Sequence, residues 1–68
     1  MVIRISLNGH PQDVPENLSL GQLLKQLQVN PFQVAVSKNL EVIVRSELEQ
    51  TYLFEGDEIE IFHAVGGG

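Results

Sequence analysis

Cysteine is absent from the 68 residues, and basic side chains are scarce: four Lys and Arg stand against nine Asp and Glu. The first absence excludes a disulfide framework, a thiolate metal site and a cysteine nucleophile. The second removes the basic patch that a nucleic-acid binder needs. Arg4, Lys25, Lys38 and Arg45 are also scattered along the chain. An anionic membrane surface is disfavoured for the same reason. No apolar run is long enough to span a bilayer. The N-terminus lacks the basic, apolar, then small-residue order of a secretory signal. Neither nucleic acid nor membrane is therefore an expected partner, and a cytoplasmic location is the default. Imidazoles are limited to His10 and His63, far apart in sequence, so no metal site is expected. No nucleophile with a base, no carboxylate pair at catalytic spacing and no phosphate-binding glycine loop stands out. These absences point away from an enzyme.

What is present reads as one small α+β domain. Val2 to Leu7 alternates, with Ile3, Ile5 and Leu7 on one face, which is the period of a half-buried strand. Asn8-Gly9 follows as a hairpin signal, extended by His10-Pro11 into a turn that can exceed two residues. A short second strand, Gln12 to Val14, is expected to stop at Pro15. Ser19 then caps a helix, with Gln22 completing a capping box and Leu18 placed to staple onto Leu23. Leu20, Leu23, Leu24 and Leu27 share one helical face, and Asn30-Pro31 is the expected stop. Gly21 is a weak point, costing about 1 kcal/mol relative to alanine inside a helix.

Gln33 to Ser37 and Leu40 to Val44 read as strands around a Lys38-Asn39 turn. Arg45 to Gln50 suggests one helical turn with Ser46 as cap and Glu49 as its third residue. Apolar character returns at Tyr52 to Phe54, and Glu55-Gly56-Asp57 forms a turn. The last strand runs from Glu58 to about Val65. One helix packed across a mixed sheet is the natural two-layer solution. With a right-handed crossover through the helix this is a β-grasp layout. The expected division is a domain over 1–65 and a flexible glycine tail over 66–68. Sheet order does not follow from periodicity.

The tail is the part of the chain that a core cannot use. Gly66, Gly67 and Gly68 bury nothing, and each is costly to order. They make a thin end of bare backbone reaching roughly 10 Å beyond the sheet when extended. Such an end suits entry into another protein's narrow reaction chamber, where a side chain would clash. The terminal carboxylate is a poor electrophile and needs activation, for example as an acyl-adenylate, before a nucleophile attacks it. A frayed, inert end is the plain alternative.

The segment Gly56-Asp57-Glu58-Ile59-Glu60-Ile61-Phe62-His63-Ala64-Val65-Gly66-Gly67-Gly68 resembles the ending of the small sulfur carrier proteins of thiamine biosynthesis. The similarity extends over essentially the whole chain, through Asn8-Gly9, Leu23-Leu24, Val34-Ala35-Val36, Asn39 and Arg45-Ser46. The resemblance implies a ubiquitin-like β-grasp fold. It also implies a cycle in which an ATP-dependent adenylating enzyme activates Gly68. A sulfur-donating enzyme then supplies the sulfur of a C-terminal thiocarboxylate, which thiazole synthase receives. ATP is used by the activating partner, and no cofactor is bound by the carrier. Gly68 would carry the sulfur, with Gly66 and Gly67 providing access. Two departures from the family pattern are Val44, where proline is frequent, and Leu48, where an aromatic is common. A related family, the small subunit of molybdopterin synthase, shares the terminal chemistry. The His63-Ala64-Val65 approach and short length favour the thiamine branch. A non-covalent ubiquitin-like interaction module is the reading from another class.

Alternation places Phe62 and Ala64 opposite Ile59 and Ile61, so Phe62 is expected on the outer sheet face as a docking anchor. Partial covering of Phe62 by a curled sheet is the plain alternative. Val65, Glu58 and Glu60 complete the expected docking set. Glu55, Asp57, Glu58 and Glu60 form an acidic cluster, either a solvated face or a means of steering toward a basic groove. His63 is expected near the sheet edge without a chemical role, and His10 in an exposed turn.

Overall fold

A computed structural model describes residues 1–63. Five strands form one sheet: β1 (Val2–Leu7), β2 (His10–Pro15), β3 (Val34–Lys38), β4 (Glu41–Ile43) and β5 (Glu58–His63). Their spatial order is β2-β1-β5-β3-β4. β1 and β5 pair in parallel at the centre, and the other neighbours are antiparallel, which makes the sheet mixed. Helix α1 (Leu20–Gln26) lies across one face, and a 3₁₀ helix, η1 (Arg45–Gln50), packs beside it.

The alternation in the sequence decides which face is covered. Ile5, Val14, Val36 and Ile59 point to the helix side and join Leu18, Leu20, Leu23, Leu24, Leu48 and Leu53 in one core. Ile3, Leu7, Val34, Ile43 and Ile61 flank it. Leu48, one of the departures, is buried in this core, so an aliphatic residue fills the position without an aromatic. Both sheet edges are blunted: β2 carries Pro11 and Pro15, and β4 is only three residues long.

The β1–β2 connection is tighter than expected. Leu7 pairs with His10, leaving a two-residue turn with Asn8 at φ 50° and Gly9 at φ 84°. Two successive positive φ values match the strand twist, as in a type I′ hairpin. β2 accordingly extends over six residues instead of Gln12 to Val14, with His10 exposed at its start and Pro15 at its end.

The Ser19 capping box forms in full. Gln22 N–H donates to Ser19 Oγ at 3.2 Å, and Ser19 N–H donates to Gln22 Oε1 at 3.0 Å. Gly21 is buried, and a Cβ there would meet the carboxylate of Glu49 from η1. The glycine thus lets η1 approach the first turn of α1. It also brings an acidic side chain to the positive end of the helix, which has no acid of its own there.

Three boundaries differ from the sequence expectation. The helix ends at Gln26, well before Pro31, because Gln28 turns to φ 59°. Gln28 N–H then donates to the Lys25 carbonyl and Val29 N–H to the Leu24 carbonyl, the paired bonds of a Schellman motif. The β3–β4 turn is Asn39-Leu40, with φ of 53° and 71°, one residue later than Lys38-Asn39. Ser46 lies inside η1 and makes no capping bond; the cap is Val44, whose carbonyl accepts Glu47 N–H at 2.9 Å.

Candidate functional site

β5 is the strand that leads to the glycine tail, and its surroundings define the site. It enters the sheet through a hydrogen-bonded turn. Asp57 is buried; its Oδ2 accepts Phe54 N–H at 2.8 Å and its Oδ1 accepts Asn39 Nδ2 at 3.1 Å. Lys38 Nζ stands 3.7 Å from Asp57 Oδ2 and 5.5 Å from the centre of the Phe54 ring. Asn39 Oδ1 accepts Glu58 N–H at 2.9 Å, and Asn39 N–H donates to the Glu58 carbonyl at 2.8 Å. The first residue of β5 is therefore held by the turn of the neighbouring hairpin. Asp57 serves this junction, so of the four acids in the cluster it is not a solvated charge.

At the other end β5 outruns its partner. β1 pairs with it only at Ser6↔Glu58 and Leu7↔Ile59. Asn8 N–H then donates to the Ile59 carbonyl at 2.8 Å, and Asn8 Oδ1 accepts Ile61 N–H at 2.8 Å. On the opposite side β3 continues to pair through Ala35↔Phe62 and Val34↔His63.

The face of the sheet away from α1 carries no covering element among the described residues. Phe62 lies on it, 54% exposed and paired with Ala35, so it is neither fully presented nor covered. Val42 is 69% exposed, and Val44, one residue past β4, is 56% exposed. Leu40, at the tip of the β3–β4 turn, is 86% exposed. Val44 caps η1 with extended backbone, so a residue other than proline suffices there. Glu60 pairs with Ser37, which pairs on its other side with Val42. Glu58 and Glu60 are exposed and border the apolar group. Ser37 is buried between its neighbours, and its Oγ makes no hydrogen bond among the described residues. The structure thus brings Phe62, Glu58 and Glu60 onto one open face and adds Ala35, Leu40, Val42 and Val44. Exposed valines in short strands resemble ordinary strand residues in sequence; the β3–β5 register is what unites them with Phe62.

Ala64, Val65, Gly66, Gly67 and Gly68 lie outside the described residues. His63 is exposed at the end of central strand β5, not at a sheet edge, and its ring makes no hydrogen bond among the described residues. On the β1 side of the face Arg4 Nε donates to Asp13 Oδ1 at 3.0 Å. That hydrogen bond, then the attraction of the carboxylate, holds the guanidinium still more firmly in its charged form. Among the described residues no group of three or more His, Cys, Asp or Glu is placed to hold a metal. No helix among them is long and apolar enough to cross a membrane.

A central parallel strand pair, one helix across one face and an open opposite face define a ubiquitin-like β-grasp protein. Residues 5–68 match the ThiS family, and the chain belongs to it: a family of sulfur carrier proteins of thiamine biosynthesis. The structure is similar to that of a thiamine biosynthesis protein (ThiS) from Geobacter metallireducens, with a TM-score of 0.85 and 33% identity. That similarity covers 97% of this chain and 100% of the other. The sequence is 38% identical to a thiazole synthase of Magnetococcus marinus and 32% identical to one of Paramagnetospirillum magneticum. Each match takes in 97% of this chain, yet the chain spans only 20% of either relative's length.

Proposed function

We propose that this chain is a sulfur carrier whose Gly68 carboxylate is adenylated, converted to a thiocarboxylate and used as sulfur donor in thiazole formation. The observation that carries this reading is the family match, which takes in β5 and the glycines up to Gly68. A carboxylate oxygen of Gly68 attacks the α-phosphorus of ATP held by an activating partner, and pyrophosphate leaves. Sulfur supplied at the level of sulfide by a donor enzyme then adds to the acyl carbon. AMP departs with the original carboxylate oxygen, leaving the thiocarboxylate. Neither step needs a side chain of this chain as nucleophile or base, in keeping with a partner-catalysed cycle. The glycines give the narrow approach, the open face with Phe62, Glu58 and Glu60 gives docking surface, and Ala64 and Val65 complete the proposed docking set.

The two relatives named as thiazole synthases support that enzyme as the acceptor. A stretch equivalent to nearly all of this chain is part of each of them, joined to four times its length of other sequence. A carrier built into the same polypeptide as its acceptor meets that acceptor at high effective concentration. A separate carrier needs a docking surface instead. These relatives favour the thiamine branch over the molybdopterin branch.

The test is the intact mass of the full chain after incubation with the adenylating enzyme, ATP and a sulfur donor. A species heavier by one oxygen-to-sulfur exchange is expected, and deletion of Gly68 abolishes it. Persistence of the unmodified mass, with no pyrophosphate released, overturns the reading in favour of a non-covalent module.

A further inference from the structure

We infer that Asn8 is a positioning residue for the tail: its side chain fixes the course of β5 where β1 has run out, and so sets the line on which the chain is handed to residues 64–68. This rests on the carrier reading above.

β5 is supported from both sides for only part of its length. On the β1 side the backbone of residues 57, 59 and 61 faces the neighbour. Ser6 N–H takes the Asp57 carbonyl at 2.8 Å, and Asn8 N–H takes that of Ile59 at 2.8 Å. The next donor on that edge is Ile61 N–H, but the chain has by then turned away through Asn8-Gly9 into β2. Asn8 Oδ1 occupies the place a further β1 carbonyl would take, 2.8 Å from Ile61 N. The contact links residues 53 apart in sequence. It stabilises nothing within the hairpin itself. The hairpin needs only a residue tolerant of positive φ at this position, which glycine would satisfy as well as asparagine.

Asn39 provides a comparison within the same molecule. It also opens a two-residue turn at positive φ, and its Oδ1 also accepts a β5 amide, that of Glu58 at 2.9 Å. Its bond lies at the entry of β5, and that of Asn8 lies two residues before His63. A loss of side-chain support at the entry costs stability. A loss at the exit also frees the strand beyond Ile59 to pivot about its β3 pairing. Small misplacements of a reacting group lower rates steeply while leaving remote docking contacts intact.

The experiment compares the full-length wild-type chain with Asn8→Gly, Asn8→Asp and Asn39→Gly. Adenylation is followed by pyrophosphate release with the adenylating enzyme and ATP, alongside amide exchange at Ile61 and thermal unfolding. Asn8→Gly is expected to exchange at Ile61 at least several-fold faster. Its kcat for adenylation should fall several-fold, with a smaller change in KM for the carrier, because Phe62 keeps its pairing with Ala35. Asn8→Asp, which keeps the acceptor oxygen, should restore both. Asn39→Gly should lower the unfolding temperature without lowering kcat under conditions where the chain stays folded. Asn8→Gly reacting at the wild-type rate, or Asn39→Gly losing kcat by the same factor, overturns the positioning role. A wild-type chain that is never adenylated overturns the carrier reading itself, and the Ile61 exchange rates still report whether the side-chain bond holds the strand.

Discussion

Leu40 and Gln28 hold φ of 71° and 59°, in the left-handed region where a Cβ crowds the backbone. Neither has the short polar side chain that makes asparagine tolerable there. The crowding costs roughly 1–2 kcal/mol per residue, and glycine gives back about 0.4–1 kcal/mol through the freer unfolded chain. Leu40→Gly and Gln28→Gly are therefore each expected to stabilise the fold by about 0.5–1 kcal/mol. In a domain of this size that raises the unfolding temperature by about 2–8 °C, and thermal denaturation of the two variants checks it. Leu40 differs from Gln28 in standing beside the open face at 86% exposure. If it belongs to the docking surface, Leu40→Gly raises KM for the activating partner while raising the unfolding temperature. Gln28→Gly, on the helix side, changes only the second. Equal KM values for the two variants would remove Leu40 from the surface.

Among the elements, α1 shows what a sequence can disclose. Its start is written in residues three apart: Ser19 and Gln22 cap each other, and the leucines follow at helical spacing. Ser19 is also buried and bridges to Tyr52. Ser19→Ala is expected to cost about 1 kcal/mol, and up to about 2 if the Gln22 amide is left unpaired, measurable as a lower midpoint in urea. A change below a few tenths would mean that the box is not formed in solution. The end of α1 was not legible, because its left-handed residue is a glutamine where glycine or asparagine is the usual sign. The β3–β4 turn slipped by one residue for a similar reason, since Leu40 has no turn character. Strand faces followed from alternation, but the order β2-β1-β5-β3-β4 did not, because it depends on pairings between distant residues. The bonds from Asn8 to Ile61 and from Asn39 to Glu58 belong to that same class. Both asparagines read locally as turn residues and nothing more.

On the proposed reading the molecule as a whole divides its labour between a face that docks and an end that reacts, and substitutions should separate the two. Phe62 is half exposed, so Phe62→Ala should change stability by no more than about 1 kcal/mol. As the aromatic anchor of an interface it should weaken docking by about 2 kcal/mol, roughly 30-fold in KM for the activating enzyme. With Glu58 and Glu60 beside it and a net charge of −5, association should also slow as salt is added. Gly67 tests the other half. A side chain at that position adds bulk to the part of the chain proposed to enter the activating enzyme, and removes nothing from the open face. Gly67→Phe should therefore bind the activating enzyme as the wild type does, in the absence of ATP, and be adenylated roughly 100-fold more slowly. Gly67→Ala should fall between them, because a single methyl group narrows the clearance less. The ordering is informative: a graded loss of kcat at constant affinity means that steric thinness limits the reaction. Loss of affinity in step with side-chain size means instead that the tail contributes binding, and the face built by β3, β4 and β5 is not the main docking surface. Adenylation of Gly67→Phe at the full rate would leave the terminal glycines without a role in access.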